Sequence, residues 1–201
     1  IIDKSDLVEG MYMWADQILC AKNDTRIGIN NHMRELLGRE GEPQEGDKVI
    51  CLRNYWETLD SDCNPLINGT IGILSNNYSR TLSYPRFING GGSFGVVNTD
   101  IVTETGSRFC DLMMDKKLIL EGKKSLDSKV EWRLMKSENL SWMVPKEFTY
   151  GYAITCHKSQ GSQWNKILVF EENFPFGKEE HQRWLYTAVT RAAEKCVIVR
   201  K

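Results

Sequence analysis

The segment 155–164, Thr-Cys-His-Lys-Ser-Gln-Gly-Ser-Gln-Trp, brings hydroxyl, imidazole, ammonium and amide groups together within a few residues. It lies between two apolar runs that are typical of strands. A loop that leaves a strand and enters a helix exposes backbone N–H groups, which bind phosphate oxygens. The side chains that add donors or bridging amides are Thr155, His157, Lys158, Ser159, Gln160 and Gln163. Composition alone leaves two alternatives equally open, a phosphate site and a polar loop that caps a helix.

A second segment, 185–192, reads Leu-Tyr-Thr-Ala-Val-Thr-Arg-Ala. On a helix, Thr187, Thr190 and Arg191 share one side, at i, i+3 and i+4. An arginine at a helix end beside a strand-end loop can bind a phosphate bidentately. The alternative is a surface Arg191 paired with Glu194, and the segment in isolation favours that alternative. The apolar positions on or near the other side are Leu185, Val189 and Ala192.

Two glycine-containing stretches resemble nucleotide-binding loops, but neither meets the full requirements of such a loop. Residues 90–95 fit G-x-G-x-x-G, but a β-type sequence follows where a dinucleotide site needs a helix, so we expect a hairpin tip. Residues 122–125 resemble a phosphate loop, but Lys117 replaces its first glycine and Lys124 its hydroxyl residue. The sequence therefore contains no complete phosphate-binding loop.

The secondary structure predicted to position these residues differs between three parts of the chain. Residues 17–38 predict a strand, a turn and a helix, with Asp24 or Thr25 as N-cap and Gly38 as C-cap. Residues 46–144 predict short antiparallel strands, among them 129–135, where Val130, Trp132 and Leu134 alternate with polar residues. The strands predicted after residue 146 are 150–156, 165–172 and 195–201, and a helix over 178–194 connects the last two. Strand, helix, strand with short connections predicts a right-handed βαβ unit.

Composition describes a soluble globular protein. The chain has 201 residues, 41% hydrophobic and 26% charged, and a net charge of −1, which excludes a collagen-like, a disordered or a globally basic protein. We find neither an apolar run of membrane-spanning length nor a secretion signal, and six cysteines lack a C-x-x-C pair. We therefore expect a cytoplasmic protein, bacterial or phage-encoded, with reduced and mostly buried thiols. Because the first residue is Ile1, we expect a piece of a longer protein.

Segments 155–164 and 185–192 together resemble motifs V and VI of superfamily 1 DNA helicases, particularly the RecD/Dda-like branch, superfamily 1B. Upstream, residues 18–30 resemble motif IV. The runs Gly-Asp-Lys-Val-Ile-Cys-Leu-Arg-Asn and Leu-Ile-Asn-Gly-Thr-Ile-Gly-Ile-Leu resemble the opening strands of the SH3-like insert between motifs IV and V. The resemblance is strong over 150–193, good over 17–74 and vague over 76–145.

The resemblance implies an α/β fold. This would be the second RecA-like domain of a P-loop NTPase, a parallel sheet with flanking helices, interrupted by a small antiparallel SH3-like β insert. Residues 1–45 would form the first part of domain 2A, 46–145 the inserted domain 2B and 146–201 the second part of domain 2A. The first RecA-like domain, which carries the Walker A loop and the Mg²⁺-binding acid, is expected to be missing.

The resemblance also implies roles for individual residues. Arg191 matches the arginine finger, and Gln160 the position that couples the nucleotide cleft to the strand; these two are the catalytic candidates. The candidates for nucleotide binding are Gly161, Gln163, Tyr186 and Thr187, although many relatives carry Glu in place of Gln163. The candidates for nucleic-acid binding are Thr25, Arg26, Asn30, Thr155, His157, Lys158 and Ser159. The implied cofactor is ATP with Mg²⁺, the metal being held mainly by the missing N-terminal domain; no metal ligand is predicted in this chain.

The function implied is that of the C-terminal motor half of an ATP-dependent DNA helicase, moving 5′→3′ by analogy with its branch and inactive alone. Its partners would be single-stranded DNA, the N-terminal RecA-like domain of the same protein, and replication or repair and recombination proteins, with no membrane. One alternative is an RNA helicase of the same superfamily. Another is a non-enzymatic module that binds nucleic acid or a protein partner through a β barrel on a degenerate α/β base.

Overall fold

The structure is a computed structural model that describes residues 1–172 and 177–200; residues 173–176 and Lys201 of the predicted second part of domain 2A lie outside the described residues. The strands, in chain order, are β1 (Ile2–Asp3), β2 (Gln17–Cys20), β3 (Lys48–Cys51), β4 (Tyr55–Leu59), β5 (Pro65–Leu66), β6 (Ile71–Tyr84), β7 (Gly92–Thr103), β8 (Arg108–Asp115), β9 (Phe148–Tyr150), β10 (Ala153–Thr155), β11 (Trp164–Phe170) and β12 (Ala192–Arg200). The helices are α1 (Glu9–Trp14), α2 (Asn23–Leu36), α3 (Lys116–Glu121), α4 (Ser128–Lys136) and α5 (Lys178–Val189). Short 3-10 turns lie at Lys4–Asp6, Ser141–Met143 and Cys156–Ser159.

The chain divides into two compact units. Unit 1 consists of residues 1–40 and the described residues from 151 onward, and unit 2 of residues 41–150. Unit 1 contains a parallel sheet in the order β1-β12-β11-β2-β10. Unit 2 contains an antiparallel sheet in the order β8-β7-β6-β3-β9, and β4 pairs separately with β5. The predicted α/β fold class, a parallel sheet interrupted by an antiparallel β unit, is confirmed.

The centre of the parallel sheet is apolar on both faces. Consecutive residues of β2 and β11 are fully buried, which is the pattern of a parallel strand covered on both sides. Their largest members are Ile18, Leu19, Ile167, Leu168 and Val169. The carboxyl ends of β2, β10 and β11 lie at one edge of this sheet, and helix α2 and the turn Cys156–Ser159 begin there.

Helix α2 begins at Asn23, so the prediction that Asp24 or Thr25 is its N-cap was wrong. The N-cap residue is Lys22, whose side chain makes no capping bond. Instead the Glu172 carboxylate, contributed from beyond β11, accepts the N–H groups of Ala21 and Lys22 at 2.7 and 2.9 Å. A distant carboxylate thus holds the backbone that leads into α2, where a local capping side chain was expected.

At the other end of α2 the prediction is confirmed. Gly38 follows the helix with φ +67°, and its N–H donates to the Glu35 carbonyl at 2.9 Å. That left-handed backbone is one which glycine adopts without steric cost.

Residues 129–135 form helix α4 and not the predicted strand. The Asp127 carboxylate accepts the N–H groups of Lys129 and Val130 at 2.8 and 2.9 Å, which caps the helix. Val130 and Leu134 are buried at i and i+4, whereas Trp132 is 61% exposed. Val130 and Leu134 fit both the two-residue period of a strand and the i, i+4 spacing of a helix. The Asp127 cap and the packing of these two side chains in the core favour the helix.

The end of the predicted strand 150–156 also needs correction. Its residues divide between β9, which pairs with β3 in unit 2, and β10, which pairs with β2 in unit 1. Similarly, α5 ends at Val189 rather than at residue 194, and Ala192 already begins β12. The residues of α5 that are buried are Trp184 and Ala188 rather than the predicted Leu185 and Val189.

The hairpin predicted at residues 90–95 is present, but its tip lies earlier in the chain and residues 92–95 belong to β7. Strands β6 and β7 pair from Gly72↔Thr103 to Tyr84↔Gly92, and residues 85–91 connect them. Gly90 and Gly91 there have positive φ, which the reversal of chain direction requires. The SH3-like character of unit 2 stays a prediction.

Candidate nucleotide and nucleic-acid site

The turn that follows β10 is closed by its own serine. Ser159 is fully buried, and its Oγ donates to the Cys156 carbonyl at 2.7 Å. The Ser159 hydroxyl thus points into the turn, and the contact with a nucleic-acid strand predicted for Ser159 stays a prediction. The Ser159 carbonyl in turn accepts the N–H of Ser162 at 3.1 Å, and Gly161 between them has φ +86°. Ser159 thus shapes the loop.

The remaining polar residues of this loop face outward. His157, Gln160, Gly161 and Gln163 are exposed. Thr155 and Lys158 are half-buried. The turn therefore presents an imidazole and amides to solvent directly after a buried strand.

Arg191 lies directly after α5 and joins it to this loop. Its Nε donates to the Thr187 carbonyl at 3.2 Å, and its Nη1 donates to the Ser162 carbonyl at 3.4 Å. Its Nη2 donates to the Thr190 hydroxyl at 3.3 Å. The backbone carbonyl of Arg191 accepts the N–H of Trp164 at 3.0 Å. Thr187, Thr190 and Arg191 are therefore linked to one another, as their spacing predicted, although α5 ends at Val189 and Arg191 lies beyond it.

The guanidinium of Arg191 has no carboxylate partner among the described residues. The alternative pairing with Glu194 does not form, because Glu194 lies on β12. The charge of Arg191 reaches Cys156, where burial raises the pKa of the thiol while Ser159 and Arg191 act to lower it. Arg191 is half-buried, and the acceptors of its guanidinium among the described residues are two backbone carbonyls and one hydroxyl.

The two sequence segments meet at an open cavity of about 410 Å³. His157 and Gln160 line it from the loop, and Thr187 lines it from α5. Arg183, which the sequence analysis did not single out, lines it too and pairs with Glu179 at 2.6 Å. The signal that could have found Arg183 is its i, i+4 spacing to Thr187, whose hydroxyl donates to the Arg183 carbonyl at 2.8 Å. Tyr186 lies on the outer surface of α5 and is 73% exposed.

The candidate residues on α2 make most of their contacts within the protein. Asn30 is buried, and its amide exchanges two hydrogen bonds with the backbone of Ala153 at 2.9 and 3.0 Å while donating to the Arg26 carbonyl. The polar groups of the Asn30 side chain are thus used within the protein, and the nucleic-acid contact predicted for Asn30 stays a prediction. Thr25 donates its hydroxyl to Glu172, and Arg26 is half-buried with its pKa lowered by that burial.

Two further features bear on ligands. Within residues 1–172 and 177–200, no group of three or more His, Cys, Asp or Glu side chains is arranged to hold a metal ion. Nor does any helix in those ranges have the length and apolar character needed to cross a membrane.

Residues 150–199 match the family model of the UvrD-like helicase C-terminal domain. This match covers both segments described above, and it confirms the resemblance to the C-terminal part of superfamily 1 helicases. A search among curated protein sequences found no significant match.

The solved structures that are similar to this chain include Pif1 helicases. The Pif1 helicase from Bacteroides in complex with ADP-AlF3 and ssDNA has a TM-score of 0.49 and 15% identity, covering 92% of this chain and 40% of that chain. The Pif1 helicase from Candida albicans has a TM-score of 0.48 and 14% identity, covering 92% and 44%. The chain thus spans less than half the length of these proteins, and at such scores the similarity carries no functional conclusion.

Proposed function

We propose that this chain is the C-terminal motor half of an ATP-dependent DNA helicase, and that Arg191 is its arginine finger. The observation that carries the proposal is the guanidinium of Arg191, which is held beside the loop after β10 and lacks a carboxylate partner among the described residues. The family match over 150–199 supports the same assignment.

The residues around Arg191 would prepare it for a phosphate. Its contacts to Thr187 and Ser162 fix the guanidinium relative to both α5 and the loop, and they are weak enough to leave donors available. Gln160 lines the cavity that the loop shares with Thr187 of α5, and there it would couple nucleotide to strand. The candidates for contact with the nucleotide stay Gly161, Gln163, Tyr186 and Thr187. ATP with Mg²⁺ supplies the phosphoryl transfer, and the metal would be held mainly by the N-terminal RecA-like domain.

The exposed side of the loop would hold the DNA strand. Thr155 is the last residue of β10, and His157 and Lys158 lie in the turn that follows it, so a DNA strand bound there would contact the end of the sheet. Arg26 and Thr25 would contribute from α2. Contacts of this kind go to phosphates and position a strand without reading its sequence.

In this proposal unit 1 is domain 2A and unit 2 is the inserted domain 2B. ATP-dependent movement follows if Arg191 gains its anionic partner in one state of the motor and loses it after hydrolysis, while the grip of the loop on the strand differs between those states. Movement 5′→3′ is the direction that the resemblance implies.

The test is the rate of ATP hydrolysis in the protein that carries both RecA-like domains. We expect Arg191→Ala to lower the strand-stimulated rate by about 10³–10⁵-fold, the range measured for arginine fingers. Strand affinity should stay within about twofold, because Arg191 is not in the proposed strand contact. Arg191→Lys should restore little, since an ammonium lacks the forked donors of a guanidinium.

Glu194→Ala is the matched control and should hydrolyse ATP at the normal rate. If it behaved like Arg191→Ala, a structural pair between these residues would replace the proposal. The 201-residue chain by itself should show no strand-stimulated hydrolysis, and turnover by it would contradict the division of labour proposed here. Unwinding of matched DNA and RNA duplexes by the longer protein distinguishes the DNA helicase from the RNA helicase alternative.

A further inference from the structure

Helix α4 of unit 2 exposes an indole and a thioether on its outer face. Val130 and Leu134 turn inward and pack in a buried cluster with Ile88, Phe94, Val96, Leu126 and Met143. Trp132 and Met135 lie on the opposite side, i and i+3 apart, and are 61% and 57% exposed. A large aromatic side chain this exposed is unusual, because tryptophan is highly buried on average.

Cations surround that indole. Lys129 precedes Trp132 by three residues and Lys136 follows it by four, so both flank the ring on the helix surface. Arg133 extends the same basic side. Within the part of the chain that the structure describes, none of these three cations forms an ion pair.

The nearby carboxylates are occupied elsewhere. Glu131 faces away from Trp132 and binds Arg53 and Lys124 at 3.1 Å each. Asp127 caps the helix through the N–H groups of Lys129 and Val130. The outer face of α4 therefore presents an exposed indole bordered by three cations that form no ion pair among the described residues, while Asp127 and the exposed Glu138 lie at the two ends of the helix.

We infer that this face of α4 is a binding surface for single-stranded DNA, distinct from the loop after β10. Trp132 offers a face on which a base stacks, and Lys129, Arg133 and Lys136 offer donors to the phosphates on either side of that base. The combination of a stacking ring and a basic border is the chemistry of sequence-tolerant single-strand binding. The choice of DNA as the strand rests on the proposed function.

The test measures the affinity of the 201-residue chain for a fluorescently labelled thymidine oligonucleotide by anisotropy, over a series of salt concentrations. We expect Trp132→Ala to weaken binding about 5- to 150-fold, which corresponds to the loss of one stacked base. Trp132→Phe should recover most of the loss. We expect Lys136→Gln to lower the slope of log Kd against log salt by about 0.7, the value for one phosphate contact.

Matched controls come from the same unit. Trp56→Ala removes an indole that is 65% exposed, and Lys117→Gln removes an exposed cation without an ion pair among the described residues; both should bind like the parent chain. Unchanged urea unfolding of each variant shows that the fold is intact.

The outcomes separate this inference from the proposed function. Normal affinity of Trp132→Ala together with an unchanged salt slope for Lys136→Gln overturns the α4 surface, whatever His157→Ala does. Weakening by the α4 variants with no effect of His157→Ala supports the α4 surface and counts against the strand contact at the loop. A parent chain that does not bind the oligonucleotide at low salt overturns the α4 surface as well.

Discussion

Asn30 and Arg191 are both polar, and both belong to segments that the sequence singled out, but the structure uses them in opposite ways. Each polar group of the Asn30 side chain meets a backbone group of Arg26 or Ala153, so the residue ties α2 to β10. Arg191 meets only carbonyl and hydroxyl acceptors, so its charge is free of a carboxylate among the described residues. Burial and partners, rather than residue type, separate the structural role from the candidate chemical one.

Asn30→Ala should destabilise unit 1 by about 2–3 kcal/mol, because it leaves the buried N–H and C=O of Ala153 without partners. Urea unfolding followed by circular dichroism measures the change. Asn31→Ala, at the exposed neighbouring position of α2, is the control and should cost less than about 0.5 kcal/mol. Normal stability of Asn30→Ala, accompanied by weaker strand binding, would support the strand contact predicted for Asn30.

Among the elements, α4 is where alternation in the sequence predicted the wrong structure. Val130, Trp132 and Leu134 alternate as in a strand, but only the first and third are buried. A strand and a helix over residues 129–135 would place Trp132 in different environments. In a strand it would share the buried face with Leu134, and in the helix it faces solvent.

Leu134→Ala should therefore destabilise unit 2 by about 2–5 kcal/mol, the cost of a cavity in a close-packed cluster. Trp132→Ala should cost less than about 1 kcal/mol, because its ring contacts little of the core. Urea unfolding of the two variants beside the parent chain decides between the structures. Comparable losses for both would indicate that residues 129–135 pack as a strand.

At the scale of the whole molecule, each unit has its own core, and free cysteines report on both. Cys20 and Cys156 are buried in unit 1 and Cys51 in unit 2, whereas Cys63 and Cys110 are exposed. The expectation of mostly buried thiols thus fails at those two. Burial raises the pKa of Cys20 to about 12, and the nearby Glu172 acts in the same direction, so this thiol is protected both sterically and electrostatically.

A thiol-reactive disulfide reagent should accordingly label Cys63 and Cys110 rapidly in the native protein, and Cys20, Cys51 and Cys156 only after unfolding. Peptide mass spectrometry at increasing urea concentration assigns each modification and gives the unfolding of each unit separately. Cys63→Ser should remove one rapid equivalent and nothing else. Rapid native labelling of Cys51 would show that the core of unit 2 is open.

Much of unit 1 follows from the sequence alone. The apolar runs of β2 and β11 are too continuous for any place but a sheet covered on both faces, and Gly38 marks the end of α2 because few other residues adopt its backbone. The segments 155–164 and 185–192 were also identifiable, by their joint resemblance to helicase motifs V and VI rather than by their composition. These features are local, so neighbouring residues suffice to determine them.

Only the tertiary structure decided the features that depend on distant partners. Glu172 holds the backbone that leads into α2, and the backbone of Ala153 occupies the Asn30 side chain. A buried cluster makes α4 a helix where alternation favours a strand. Arg183 and Thr187 reach the same cavity as His157 because α5 and the loop after β10 come together there. Sequence patterns specify which groups are available, but hydrogen bonding and burial among residues far apart in the chain determine which of them remain available to a ligand.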